Sequence, residues 1–330
     1  MNALVTSIGS FSAGIVIKRL KKEHYNVIGC DIYPEEWLVE SKLVDRFYRA
    51  PLAAKRLEYV NFLIDICRKE KIDYILPLTD IEIDVLNTSR EIFENCNVRI
   101  CMSSEASILL CRNKYLLAEF LKGEKGIKTI PTVKLDKDKP LPYDLPVVCK
   151  PKNGRSSQGL LMIKSGEEWR YYKKNYELTG YIVQPHIDGN VITVDAVRQP
   201  SSKQTVVLAR KELRRTSNGA GLAVYVYNDE SLTETVKRLA DYLGICGCVN
   251  FEFLLDREGN YYLLECNPRF SGGVEFSVLA GYDFVSNHMK CFKGEDITPI
   301  RTVKNQYLCK KYETYVLKTD PEREAVKQYV

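Results

Sequence analysis

Histidine is nearly absent from this chain: His24, His186 and His288 are the only three in 330 residues. A Ser-His-Asp mechanism needs a histidine with partners, and the sequence places none. Zinc is equally hard to hold, because no histidine stands near a cysteine pair. Cysteine is plentiful at 11, but the count is odd and no CxxC occurs; Cys246-Gly247-Cys248 comes nearest. Reduced, mostly buried thiols follow from that pattern. Long hydrophobic runs are missing too, and none approaches the ~20 residues of a membrane-spanning helix. The opening MNALVTSIGS has no basic stretch and no cleavage site, so it reads as a buried strand and not a signal peptide. A cytoplasmic protein is the expectation. The net charge of +5 is mild, and no basic tract is interleaved with aromatics. Neither nucleic acid nor membrane is an expected partner.

With 45% hydrophobic and 28% charged residues, the chain can pack two or three units. Its first third alternates strand and helix patterns. Residues 3–8 and 27–30 read as strands around a helix at 13–22. A helix at 57–69 carries Val60, Leu63, Ile64 and Cys67 on one face. A strand at 74–78, a helix at 81–93 and a strand at 98–101 follow. This is a Rossmann-like parallel sheet covered on both faces. The loop after the first strand, GSFSAG, is neither GxGxxG nor a P-loop, so the usual dinucleotide and triphosphate signatures fail. Asp31 either meets a ribose or closes a turn. Ser10, Ser12, Thr79, Asp80 and Glu82 either wall a substrate cleft or cap helices.

Residues 106–122 read as one helix, with Lys114 inside it. After a proline-rich connector, residues 145–165 read as strand, Gly-bounded loop and strand. Lys150 alternates away from Val147 and Cys149. Small residues in the loop Asn153–Gly159 let backbone N–H groups approach phosphate oxygens, although many hairpins have such tips. YIVQPHIDGNVITVD, from Tyr181 to Asp195, is two strands around a short connector whose backbone can meet a base edge or form a plain hairpin. A strand at 205–209 runs into Arg210, Lys211, Arg214 and Arg215, four cations that face either an anionic substrate or solvent.

The densest chemistry lies between Asn250 and Gly273. Cys248–Asp256 and Tyr261–Asn267 form a hairpin joined by Arg257-Glu258-Gly259-Asn260. With Asp256 opposite Tyr261, Glu252 falls opposite Glu265, about 5 Å away at Cβ, where like charges repel. Asn267 shares their face, and Cys266 points to the core. Two carboxylates and an amide oxygen suit Mg²⁺; solvated glutamates on an edge hairpin are the alternative. Arg269 follows and can hold a phosphate.

The order of Lys114, VVCKPKNGRSSQG, VQPHIDG, a basic cluster, NFEFL and LLECNPRFSGG resembles the ATP-grasp superfamily, in particular the carbamoyl-phosphate-synthase-like ligases. The resemblance covers nearly the whole chain. It implies a Rossmann-like domain at 1–105, a small lobe with its preceding helix and phosphate loop at 106–188, and a C-terminal lobe with the metal site at 189–330. It implies ATP with one or two Mg²⁺ ions, or Mn²⁺ in their place. Lys114 and Lys150 would contact phosphates. Gly154, Arg155, Ser156, Ser157, Gln158 and Gly159 would form a mobile loop over them. Gln184, Pro185, His186 and Ile187 would hold adenine through the backbone. Glu252, Glu265 and Asn267 would bind the metal, Arg269 the γ-phosphate, and Arg210 and Arg214 the acceptor or the moving phosphoryl group. The family activates a carboxylate as an acyl phosphate that an amine or similar nucleophile attacks. Two positions depart: Val191, where many relatives carry an acidic ribose contact, and Glu252, which is Gln in some relatives and acidic in others, Glu favouring the metal. The expected protein is therefore an ATP-dependent carboxylate–amine ligase acting on small molecules. Its rivals are a small-molecule kinase on the same scaffold and a nucleotide-binding regulator without turnover. A homodimer is the default for an enzyme of this size.

Overall fold

The computed structural model describes residues 1–155, 157–216, 219–301 and 303–319. The first unit runs β1 (Asn2–Thr6), α1 (Ala13–Lys22), β2 (Asn26–Asp31), β3 (Arg46–Arg49), α2 (Arg56–Glu70), β4 (Tyr74–Leu76), α3 (Asp80–Asn87), α4 (Arg90–Glu94) and β5 (Arg99–Ile100). The strands form a parallel sheet in the order β3-β2-β1-β4-β5. Alternation of strand and helix predicts this sheet, because parallel neighbours need crossovers. The single helix expected at 81–93 is two. Thr88 and Ser89 donate their hydroxyls to the Val85 carbonyl at 2.9 and 3.0 Å and end α3 early.

Next come α5 (Glu105–Arg112), α6 (Lys114–Phe120), β6 (Lys128–Thr129), β7 (Val133–Lys134), β8 (Val147–Pro151), β9 (Leu161–Ile163), α7 (Gly166–Asn175) and β10 (Tyr181–Pro185). The expected helix at 106–122 is interrupted by Asn113, whose side chain accepts from the N–H groups of Tyr115 and Leu116 at 3.1 Å and caps α6. Lys114 therefore opens a helix instead of riding mid-helix. A four-stranded sheet, β7-β10-β8-β9, makes the small lobe.

The last part is β11 (Asn190–Gln199), β12 (Gln204–Arg215), β13 (Gly221–Tyr227), α8 (Glu230–Tyr242), β14 (Gly247–Leu255), β15 (Tyr261–Asn267), α9 (Val274–Leu279), α10 (Phe284–Lys293) and β16 (Gln306–Cys309). Their seven-stranded sheet runs β16-β13-β12-β11-β14-β15-β6. β6 joins it as a parallel edge on β15. Cys111, Leu117, Leu121 and Ile127 pack in one core with Phe251, Phe253 and Cys266. Residues 111–129 thus pack on the large sheet and add an edge strand to it.

The first unit docks on the large sheet. Arg19 of α1 pairs with Asp283 ahead of α10, and Arg99 donates to the Phe292 carbonyl. His288 is sealed in this seam, its Nδ1 accepting from the Cys248 N–H at 2.8 Å. Burial pushes it down to about 3, so it stays a neutral packing residue. All eleven cysteines are free and most are buried. Among the described residues no helix is long and apolar enough to cross a membrane.

Candidate active site

The β14–β15 hairpin sets the site. Its register differs from expectation near the turn and agrees where the carboxylates lie. Leu255, not Asp256, pairs with Tyr261, and Phe253 pairs with Leu263. Asp256 belongs to the turn, its carboxylate accepting from the Glu258 and Asn260 N–H groups at 3.0 and 2.7 Å. An irregularity beside Phe253 then inserts Leu264, and Glu252 pairs with Glu265 after all. The two differences cancel. Beyond the bulge Cys266 enters the core, and Glu265 and Asn267 face a cavity of about 820 Å³.

Glu252 and Glu265 are 17% and 21% exposed at the side chain. Burial, then the facing Glu265 charge, pushes Glu252 up to about 7. Arg215 approaches it only at 3.4 and 3.5 Å. Burial also acts to raise Glu265, but the Lys114 and Lys150 charges outweigh it and hold that carboxyl below its ordinary range. Lys114 Nζ lies 3.0 Å from Glu265 and donates to the Gly154 carbonyl at 2.7 Å. Burial, foremost, lowers Lys150 to about 8, against the opposing pull of Glu265.

Asn267 donates its amide nitrogen to Glu265 at 3.0 Å and to Asn250 at 3.3 Å. Its Oδ1 is then the oxygen left for a cation. Among the described residues no group of three or more His, Cys, Asp or Glu is placed to hold a metal ion, and the third candidate ligand here is that amide. Two facing carboxylates, one of them driven towards protonation by burial and then by the other, with an amide oxygen beside them, make a hard oxygen set that fits Mg²⁺ or Mn²⁺.

The remaining expected residues divide. Lys150, Gly154, Arg155, Ser157 and Gln158 line the cavity, as do Gln184, Pro185, His186 and Ile187. Gly159 does not; at φ +73° it turns the chain beneath the Tyr181 hydroxyl. Ser156 falls outside the described residues. Within the linker, Gln184 donates its side-chain amide to Thr132 at 2.8 Å, and the His186 N–H is taken by the Pro146 carbonyl at 3.1 Å. Val191 lines the cavity as an apolar residue.

The arginines differ most from expectation. Arg269 places both prongs of its guanidinium on Asp80, at 2.9 and 2.7 Å. Arg112, unnoticed in the sequence, stands 3.6 Å from the same carboxylate. Arg210 is 2% exposed and held by Asp195 at 2.6 Å, Glu212 at 3.3 Å and Ser271 at 2.9 Å, so it braces the floor of the site. Arg214 is exposed and does not line the cavity. Register shifts after Glu212 break the period-two alternation of β12, and Arg215 takes the inward position instead. Asn250 was also missed, although it lies two residues before Glu252, on the same face, and opposite Asn267. Of the first unit, Ser10, Ser12, Asp31, Thr79, Asp80 and Glu82 line the cavity. Thr79 and Glu82 also form a capping box on α3.

Comparison with known proteins gives this geometry its class. Residues 4–101 match the family model described as PylC-like, N-terminal domain, and residues 177–314 match ATP-grasp in the biosynthetic pathway with Ter operon. The large chain of carbamoyl phosphate synthase from Thermoplasma volcanium is 23% identical over 317 residues, covering 88% of this chain and 29% of the relative. The N-terminal section of that enzyme from Methanopyrus kandleri is 23% identical over 79% of this chain and 49% of its own length. The chain thus spans under half of these relatives. Among solved structures, biotin carboxylase from Campylobacter jejuni superposes with a TM-score of 0.75 at 18% identity, over 92% of this chain and 74% of that one. L-amino acid ligase from Bacillus licheniformis does so with 0.70 at 16%, over 91% and 78%. The first unit thus matches a PylC-like N-terminal domain and the C-terminal part an ATP-grasp model, the sequence is similar to the carbamoyl phosphate synthase large chain, and the chain's fold is that of biotin carboxylase. Its fold is a parallel five-stranded sheet followed by the ATP-grasp lobes.

Proposed function

We propose that this protein is an ATP-dependent ligase that activates a small carboxylate as an acyl phosphate and joins it to an amine. The observation that carries the proposal is the Glu252–Glu265 pair, set face to face in a cleft that also holds Lys114 and Lys150. Phosphoryl transfer needs charge neutralisation and positioning more than a general acid or base, which suits a site without a histidine dyad. Glu252, Glu265 and the Asn267 oxygen would hold a divalent ion, which would supply charge neutralisation for the phosphates there. Lys114 and Lys150 bind the phosphates, and the loop 154–159 closes over them and excludes water. Gln184–Ile187 take the adenine; among the described residues nothing accepts from the Ile187 N–H, which supports its role as a donor to the base. Arg269 reaches the γ-phosphate from its seat on Asp80. Arg210 orients the floor, and Arg215 replaces Arg214 beside the metal ligands. In this reading residues 1–105 wall the acceptor side. A fold relative, the biotin carboxylase domain of Hydrogenobacter thermophilus 2-oxoglutarate carboxylase, is a dimer that holds MgADP and bicarbonate, and it supports the nucleotide assignment by analogy.

The experiment is a matrix of carboxylates and amines scored by ADP release, with mass analysis of the product. ADP that forms only when both partners are present, with a product lighter by one water than their sum, is expected. A phosphorylated product stable without amine makes the protein a kinase. No ADP with any pair, beside tight Mg·ATP binding, makes it a regulator.

A further inference from the structure

The nucleotide residues account for only part of the cavity. A second wing lies between the strand-end loops of the first unit and the face of β11–β13, with Phe11, Asp31 and Thr79 on one side and Thr193, Glu212 and Gly221 on the other. The walls are continuous: Arg210 touches Glu212 and Ser271, and a Cβ on Gly272 would stand 3.5 Å from Phe11. Among the described residues, the first unit puts no lysine, arginine or histidine into this wing; its ionisable side chains there are Asp31, Tyr59, Asp80 and Glu82. The nearby cations are committed, Arg210 to Asp195 and to Oε1 of Glu212, Arg269 to Asp80 and Arg215 to Glu252. Acceptors, by contrast, are left over. Among the described residues, Oε2 of Glu212, on a side chain 3% exposed, has no hydrogen-bond partner, and neither has Oγ1 of the buried Thr193. A buried carboxylate oxygen without a donor is unfavourable, so the pair calls for a donor-rich cation. Gly221 keeps the place open, since a Cβ there would fall 2.5 Å from that oxygen. Thr193 faces Glu252 on one neighbouring strand and Arg210 on the other, so the orphaned oxygens adjoin the carboxylate pair.

We propose that Glu212 and Thr193 receive the ammonium group of an amine-bearing second substrate; this rests on the ligase reading and adds the residues that select the nucleophile. An ammonium brings three donors and a charge, a hydroxyl brings one donor, and a phosphate or carboxylate brings acceptors only. Calorimetric titration of the whole protein with putrescine, L-lysine and L-alanine, each beside its fully N-acetylated form, with and without Mg·ADP, tests it. At least one free amine binds the parent and its acetylated form does not. Glu212→Gln weakens that binding by roughly 10- to 100-fold, the worth of a hydrogen bond to a charged group, and leaves Mg·ADP affinity within about twofold. Thr193→Val, the second variant should Glu212→Gln not fold, weakens it severalfold. Three results overturn the proposal: no amine binds, amine binding is unchanged in both variants, or Mg·ADP affinity falls in step with amine affinity. A parent that binds amine but not Mg·ADP contradicts the ligase reading and leaves the ammonium site standing.

Discussion

Burial and the facing Glu265 charge disfavour the ionised form of Glu252, and that environment sets a pH dependence. Its carboxyl is raised from 4.5 to about 7. Its contribution to stability is therefore fully present below pH ~4.5 and lost as pH rises through ~7. Without divalent ions, the melting temperature should fall between about pH 5 and 7.5 relative to Glu252→Gln. Saturating Mg²⁺ should remove that difference, because the ion binds the deprotonated pair; melting curves with and without Mg²⁺ check this. Glu265→Gln should abolish ADP formation with a matched melting curve, and unchanged turnover would remove the metal assignment. Lys150→Ala should raise the KM for ATP by roughly tenfold or more, and a KM within about twofold of the parent would contradict its phosphate role. At this scale the sequence was legible wherever alternation along one strand decides the face. Glu252, Glu265, Asn267 and Cys266 all obey it. The Asp80–Arg269 pair was not legible, because its partners lie 189 residues apart and no local pattern joins them.

Strand irregularities decide which residues reach the cleft. In β15 the extra Leu264 offsets a turn one residue longer than expected, so the carboxylate pair was read correctly from a register that is wrong at the tip. In β12 two register shifts follow in succession, one between Glu212 and Arg214 and one between Arg214 and Arg215. A period-two reading carries Arg210 and Arg214 to one face, and the bulge after Glu212 delivers Arg215 instead. Arg215→Ala should lower ADP release at pH 7 by roughly tenfold, about the worth of a weak charge-assisted contact to Glu252. Arg214→Ala should leave it within about twofold. Equal effects of the two substitutions in the same ADP assay would contradict the bulged register. Helix ends were equally hard to read, because Asn113 and the Thr88–Ser89 pair interrupt apolar patterns that continue through them.

Three sheets meet at one cavity, and the seam between the first unit and the rest is part of the site. Asp80, 2% exposed at the side chain, joins Arg269 across that seam. Removing one partner of a buried pair strands the other, at a cost of about 3–5 kcal/mol. Asp80→Ala should lose about that much in denaturant unfolding, and adding Arg269→Ala should cost less than the sum of the single changes; additive losses would mean that the pair does not hold the seam. The parallel sheet and the order of the lobes were legible from periodicity and motif order. The attachment of residues 111–129 to the large sheet was not, because the two-residue strand β6 leaves no periodic trace. The most direct measurement is a crystal structure with Mg²⁺ and a non-hydrolysable ATP analogue. An ion bound by Glu252, Glu265 and Asn267 beneath the phosphates is the predicted result. Those side chains turned to solvent, with the analogue elsewhere or absent, would contradict the account.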